Sequence, residues 1–233
     1  MSLQPHLIRT PEQAVAQRIV HRIPIGERTF EVEAPHSMDA LLDDPTVQQA
    51  FAIDEYMPYW ADIWPASRFL AERLMQEDFT NPDGTPQSVL ELGCGLGLAG
   101  LAALARGANV LFTDYEVTAL QFVEANARRN GFERFQTMAL DWRTPPADLR
   151  VPVILAADLI YERRNIAPLL ALLEQVLLPG GVCWLSDLDR PPAEQFRQAI
   201  ARTTWQITTS AHQWQAADGR IRSGTIYRIQ FPV

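Results

Sequence analysis

The chain has 233 residues, 47% of them hydrophobic, and a net charge of −8; that length supports one α/β domain with a sizeable core plus an N-terminal extension, and a second full domain is not expected. No apolar run approaches the roughly 20 residues of a membrane span, and Met1 to Pro11 lacks the apolar centre of a signal peptide, so a cytoplasmic protein with no membrane partner is expected. The acidic balance disfavours stable nucleic-acid binding through many phosphate contacts, and Cys94 and Cys183 offer neither a disulfide framework nor a metal spacing.

Residues 1–17 read as a polar lead-in with a short helical turn. Arg18–Ile25 and Arg28–Ala34 alternate in character around Gly26-Glu27, which predicts a β-hairpin, and Pro24 places its first strand at an edge. His21 is read as a surface strand residue. Asp39–Phe51 predicts one or two short helical turns broken near Pro45. Aromatic residues then crowd Tyr56–Pro65, where Pro58 and Pro65 prevent a long helix. This cluster is either core or, because an amphipathic helix over Ala66–Gln76 follows at once, a lid over a neighbouring site.

After a loop at Asn81-Pro82-Asp83-Gly84 comes the stretch from Ser88 to Gly100, which reads as strand, tight turn and buried helix. Val89–Leu92 is the strand, the glycines permit positive φ and close ligand approach, and Leu98–Ala105 is the helix. A helix opening on such a turn presents unpaired N–H groups at the carboxyl end of a parallel strand, a natural cofactor position. Gly95, Gly97 and Gly100 match the dinucleotide fingerprint. Glu91, two residues before Gly93, argues against a pyrophosphate by repulsion. It suits a cofactor with cationic groups, such as S-adenosylmethionine, which carries a sulfonium and an ammonium and no phosphate. An ordinary glycine-rich turn with an exposed Glu91 is the bland alternative.

The αβ alternation continues. Val110–Thr113 is a strand ending at Asp114, 19 residues beyond Gly95, near the spacing at which such folds place a ribose-binding carboxylate. Val117–Arg129 is a helix closed by Asn130-Gly131. Phe135–Leu140 is the third strand, with Asp141 able to accept from an adenine amino group and Trp142 able to pack on the base. Val151–Ala157 is uniformly apolar, as a doubly covered strand should be, and ends in Asp158-Leu159-Ile160-Tyr161. Ile166–Leu178 is a helix, Pro179-Gly180-Gly181 a turn, Val182–Ser186 a strand and Pro192–Ala201 a helix. Trp205–Ser210 and Thr225–Phe231 close the chain as a hairpin about Asp218-Gly219. The predicted architecture is α/β: a Rossmann-like, doubly wound, mostly parallel seven-stranded sheet with an antiparallel C-terminal hairpin. Residues 1–55 form the N-terminal extension of hairpin and short helices, and residues 56–233 the main domain.

Over about residues 50–233 the chain resembles the class I, seven-strand S-adenosylmethionine methyltransferases, and within them the protein lysine methyltransferases. The resemblance rests on Pro58-Tyr59-Trp60-Ala61 and Trp64-Pro65, on Glu91-x-Gly93-x-Gly95-x-Gly97, on Asp114, on Leu140-Asp141-Trp142 and on Asp158-x-x-Tyr161. Arg143 stands where relatives often have glycine. The resemblance implies that Gly93, Gly95 and Gly97 admit the methionine part, with Asp114 holding the ribose and Asp141 and Trp142 framing the adenine. Trp60 closes over the cofactor, and Glu91 and Ala157 complete the cofactor set. Asp158 and Tyr161 face the substrate as catalytic residues. It implies in-line methyl transfer to a neutral lysine amine of another protein, leaving S-adenosylhomocysteine and requiring no metal, and the net charge of −8 favours a target with a basic surface. Asp158 as the N-cap of the following helix is the structural alternative for that residue. A small-molecule amine methyltransferase and a catalytically silent cofactor-binding scaffold are the functional alternatives, with a nicotinamide enzyme behind them. The prolines of the Asn/Asp-Pro-Pro-Tyr motif of nucleic-acid and glutamine methyltransferases are missing at 157–161.

Overall fold

The computed structural model describes residues 10, 15–54, 57–215, 219 and 221–233. The predicted lead-in over 1–17 therefore lies mostly outside the described residues, as do Tyr56 and Asp218. Strands β1 (Arg18–Ile25) and β2 (Arg28–Pro35) form a two-stranded antiparallel sheet of their own, the expected hairpin. Two short helices follow, α1 (Met38–Leu42) and α2 (Pro45–Asp54), with Ser37 Oγ capping α1 through the N–H of Ala40. A 3₁₀ turn at Tyr59–Ala61 leads into α3 (Pro65–Leu74), with Pro65 at its first position, where no N–H is needed.

The remaining elements are β3 (Ser88–Leu92), α4 (Leu98–Ala105), β4 (Asn109–Asp114), α5 (Val117–Arg129), β5 (Phe135–Ala139), β6 (Val151–Ala157), α6 (Ile166–Val176), β7 (Leu177–Asp187), α7 (Pro192–Ile200), β8 (Gln206–Gln215) and β9 (Ile221–Gln230). They build a seven-stranded sheet in the order β5-β4-β3-β6-β7-β9-β8, parallel from β5 to β7 and antiparallel at β9 and β8. The chain runs outward from β3 to β5 and returns to β6 on its other side, so the topological switch point lies between β3 and β6.

Side chains alternate across the sheet as a strand period of two requires. Val89, Val110, Phe112, Val153, Leu155 and Trp184 face one core, shared with α3, α4, α5 and the hairpin residues Ile23, Ile25, Phe30 and Val32. Leu90, Leu92, Ile154, Ala156, Cys183 and Leu185 face the other, under α6 and α7. The hairpin is held by more than apolar contact. Asn126 of α5 is fully buried; its Oδ1 accepts from Glu33 N (2.7 Å) and its Nδ2 donates to Glu33 O and Leu96 O (both 3.1 Å). Asn130 repeats the arrangement on Glu31. These amides complete the open edge of β2.

The main boundary differences from the sequence expectation lie around β7 and in the closing hairpin, and the helix expected over Ile166–Leu178 stops at Val176 because Leu177 already pairs with Val151. Pro179-Gly180-Gly181 is an excursion within β7 rather than a turn before it: Leu177 pairs with Val151, Val182 pairs with Val153, and the residues between bulge out. Gly180 takes φ +73°, and Gly181 lies so close to the carbonyls of Leu178 and Pro152 that a Cβ would stand under 3 Å from both. The closing strands are each longer than expected, because β8 and β9 go on pairing with one another past Thr225, where β7 ends. Among the described residues no helix is long and apolar enough to cross a membrane.

Candidate active site

The glycine turn is fastened to the end of β4. Cys94 N donates to Thr113 O (2.9 Å), Gly97 N to Cys94 O (2.7 Å) and Gly95 N to Asp114 Oδ2 (2.8 Å). Gly97 has φ +82°, and a Cβ there would sit 2.1 Å from Val123 Cγ2, so both backbone and space demand glycine. The second oxygen of Asp114 accepts from Glu116 N (2.9 Å). Glu116 in turn caps α5 through Thr118 N (2.9 Å) and accepts from Thr10 N (2.9 Å) and Thr10 Oγ1 (3.3 Å). Glu91 is 2% exposed, and its Oε2 accepts from Gly100 N (3.0 Å). Burial pushes Asp114 up to about 6, and burial with the nearby Asp114 charge pushes Glu91 up to about 8. The exposed Glu91 of the bland reading is thus corrected: the side chain is interior and holds α4 against the turn.

The aromatic segment folds onto this turn. A Cβ on Gly95 would meet Trp60 O at 3.1 Å, so it is the backbone of Trp60 that lies on the glycines. Its ring packs on Phe122 (centroids 5.4 Å apart), and its buried Nε1 has no hydrogen-bond partner. The segment is both lid and core. Tyr59 bridges Trp64 and Tyr161 by edge contacts at 5.8 and 5.3 Å.

Asp141 does not stand free for an adenine amino group. Its Oδ1 accepts from Arg143 N (2.9 Å), and both oxygens are forked by the Arg143 guanidinium at 2.8–3.0 Å. The arginine that replaces the family's usual glycine therefore spends itself on the motif's own aspartate, over the ring of Tyr115 (5.6 Å). Trp142 is half-buried beside it.

At the end of β6, Asp158 adopts φ +62° and is 7% exposed. Its N–H donates to Ser186 O (2.8 Å), and Arg190 Nη2 donates to its Oδ1. Burial raises its pKa to about 6 against the pull of Arg190. The N-cap alternative fails, because a 3₁₀ turn at Arg163–Asn165 intervenes and Asn165 precedes α6. Beside Asp158 stands Asp187, the last residue of β7, fully buried and raised by burial, with Arg190 Nη2 3.6 Å from its Oδ2. No side chain hydrogen-bonds either Asp187 oxygen, although the Arg190 charge and the backbone N–H groups of Asp189 and Arg190 pull against its burial; the buried Arg190 Nε has no hydrogen-bond partner. Tyr161 lies with its ring centroid 5.7 Å from the Arg190 guanidinium, and burial pushes its phenol up to about 12.

One cavity of about 700 Å³, within the range of small-ligand and cofactor sites, is bordered by the glycine turn, Asp158, Tyr161 and Arg190, whereas Asp187 does not border it. Trp60, Glu91, Gly93, Gly95, Gly97, Asp114, Asp141, Trp142, Ala157, Asp158 and Tyr161, the whole sequence-predicted set, border it. Arg190, Asp187 and Glu116 escaped the sequence reading; the available signal was an acid and an arginine three apart at the end of an apolar strand. Among the described residues no cluster of three or more His, Cys, Asp or Glu side chains could hold a metal ion.

Residues 55–203 match the family described as lysine methyltransferase. A ribosomal protein L11 methyltransferase of Shewanella pealeana is 32% identical over 202 residues, 85% of this chain and 64% of the relative. The protein of the same name from Shewanella halifaxensis is 32% identical over 176 residues, 75% of this chain and 55% of the relative. The chain thus spans between half and two thirds of the length of these relatives. The N-methyltransferase NodS from Bradyrhizobium japonicum, solved with S-adenosyl-L-homocysteine, shares the fold at a TM-score of 0.58 and 16% identity, over 81% of this chain and 97% of that one. With the switch-point cavity, the glycine turn and the strand-end acids in place, the chain belongs to the lysine methyltransferase family of class I S-adenosylmethionine-dependent methyltransferases.

Proposed function

We propose that this protein transfers a methyl group from S-adenosylmethionine to a lysine side-chain amine of another protein. The observation that carries this reading is Asp158: its Oδ1 is occupied by Arg190, and no hydrogen bond occupies its Oδ2 at the wall of the cavity. The residue lies beside the glycine turn, because β3 and β6 pair through Leu92 and Ala156. The family description and the name of the curated relatives, which act on a ribosomal protein, support a protein acceptor. The net charge of −8 favours a basic target.

The cofactor residues fit. Gly93, Gly95 and Gly97 leave room for the methionine part; Asp114, with a lone pair to spare on each oxygen, accepts the ribose hydroxyls; Trp142 packs on the adenine, and Asp141 acts with Arg143 at that end. Trp60 Nε1 is a buried donor awaiting an acceptor. The carboxylates of Asp114 and Glu116 beside the turn would repel a pyrophosphate. The bound cofactor supplies an electrophilic methyl on sulfur. The chain supplies alignment, worth roughly 7–11 kcal/mol in favourable cases: Asp158 accepts from the amine, aims its lone pair and steadies the alkylammonium product, while Tyr161 lines the aliphatic stem. We read residues 56–233 as the methyltransferase domain, residues 1–55 as an extension of it, and the cytoplasm as its location.

All 20 basic side chains are arginine, so the chain contributes no lysine of its own. Incubation with labelled cofactor and a lysate of its own cells, followed by mass spectrometry, should place methyl-lysine on a partner protein, with ribosomal proteins the first to inspect. Label confined to small molecules, nucleic acid or arginine would reject the reading and favour a small-molecule amine acceptor in the first case.

A further inference from the structure

At the acceptor end two buried aspartates share one arginine. Asp158 and Asp187 are side by side because Ala157 pairs with Ser186 in adjacent parallel strands. Arg190 Nη2 reaches both, bonding Asp158 Oδ1 and standing 3.6 Å from Asp187 Oδ2. The arrangement is unsatisfied on one side only. Asp187 is fully buried with no side-chain hydrogen bond to either oxygen, its carboxylate met by the backbone N–H groups of Asp189 and Arg190, and the Nε that would complete a fork onto it is buried and idle. An arginine prefers to hold a carboxylate through two parallel N–H groups, and a buried donor left unpaired, as the Arg190 Nε is, is costly. A small rotation of the guanidinium would place Nε and Nη2 on Asp187 and release Asp158. The cluster carries one net negative charge, which a single further cation neutralises.

We propose that Arg190 is a positioning residue that exchanges between these aspartates: it occupies Asp158 while the acceptor pocket is empty, and closes onto Asp187 when an alkylammonium arrives to take its place. The inference rests on the amine-acceptor reading above. The incoming cation enters as the guanidinium leaves, so Asp158 is not left as a lone buried charge during the exchange; the bound ammonium then loses one proton to solvent, and the neutral amine that remains takes the methyl. The departing guanidinium also uncovers the face of Tyr161, where a methylated ammonium finds cation–π attraction. The same exchange in reverse assists release, since each added methyl removes an N–H that Asp158 could accept.

Two measurements test this. In the first, the Arg190 Nε–H signal is followed by nuclear magnetic resonance in the protein saturated with S-adenosylhomocysteine, with n-butylammonium as the probe. A shift to a hydrogen-bonded, exchange-protected signal in the wild type, lost in Asp187→Asn, is expected; an Arg190 signal that ignores the probe overturns the exchange. This readout needs no turnover, so it separates failure of the exchange from failure of the lysine reading. In the second, Asp187→Asn should raise the acceptor KM about tenfold, the scale of one charge-assisted contact, with kcat and cofactor affinity held. The double variant Asp187→Asn, Arg190→Gln should recover most of that loss, because nothing then competes for Asp158. If Asp187→Asn fails to fold, Arg190→Lys, which cannot fork onto Asp187, should show the same KM rise. A fall in kcat alone, or a double variant worse than the single one, would identify a merely structural cluster.

Discussion

The two ends of the cavity are built from the same kind of side chain and treat it oppositely. At the glycine turn, Glu91, Asp114 and Glu116 accept from backbone N–H groups of Gly100, Gly95, Glu116 and Thr118, donors that cannot move without unwinding a helix or the turn. At the far end, Asp158 and Asp187 share the one flexible side chain of Arg190, whose Nε is left idle. A binding site gains from preorganised partners, because they cost no reordering when the ligand arrives. An acceptor site must admit a cation, hold it and let go of a bulkier one, which suits partners that can be exchanged. Under the proposed function, the contrast gives rigidity to the cofactor end and adjustability to the acceptor end.

The severest way to break the rigid end is Gly97→Val. The branched side chain would collide with Val123 at a position of φ +82°, and overpacking of about 1–3 kcal/mol adds to a left-handed penalty of roughly 1–2 kcal/mol. Urea unfolding should show that loss, and calorimetry no cofactor binding. A variant of normal stability and affinity would mean the turn is not the rigid element described.

At the other end, Asp158→Asn sharpens the comparison. Asparagine tolerates the left-handed backbone at φ +62°, so the fold should persist. Methyl transfer should fall by about 100-fold, the scale of a lost electrostatic stabiliser, while cofactor affinity stays within about twofold. Loss of cofactor binding instead would merge the two ends into one.

Asp114→Ala should act in the reverse sense, weakening S-adenosylmethionine by about 1.5–3 kcal/mol, as for a lost hydrogen bond to a charged group, with acceptor KM little changed. Isothermal calorimetry and initial rates check the two halves of that statement.

The gentlest probe is pH. Glu91 rises from about 4.5 unfolded to about 8 folded, so the folded chain holds a proton there that the unfolded chain has released. Stability should therefore fall as pH rises through that interval and level off above about 8. Asp114 and Asp158, raised to about 6, add to the decline only below that value. Between pH 6 and 8 the slope from Glu91 is at most about 1.4 kcal/mol per pH unit. Glu91→Gln, whose amide oxygen can still accept from Gly100 N, should flatten it in urea titrations. An unchanged slope would show that Glu91 is ionised in the fold.

The same contrast explains what was readable in advance. The glycine turn, Asp114 at the end of β4 and Asp158 at the end of β6 follow from constraints acting within a few residues: positive φ at glycine, a period of two in the strands and an acid where an apolar run stops. They are written locally, and sequence by itself determined them, together with the αβ alternation and both hairpins. What only the tertiary structure decided joins residues far apart in the chain. Trp60 reaches Gly95 and Glu116 reaches Thr10; Asn126 completes the edge of β2, β9 inserts between β7 and β8, and Arg190 stands between Asp158 and Asp187. No local propensity marks such contacts, because their energy exists only after chain topology has brought the partners together and removed them from water.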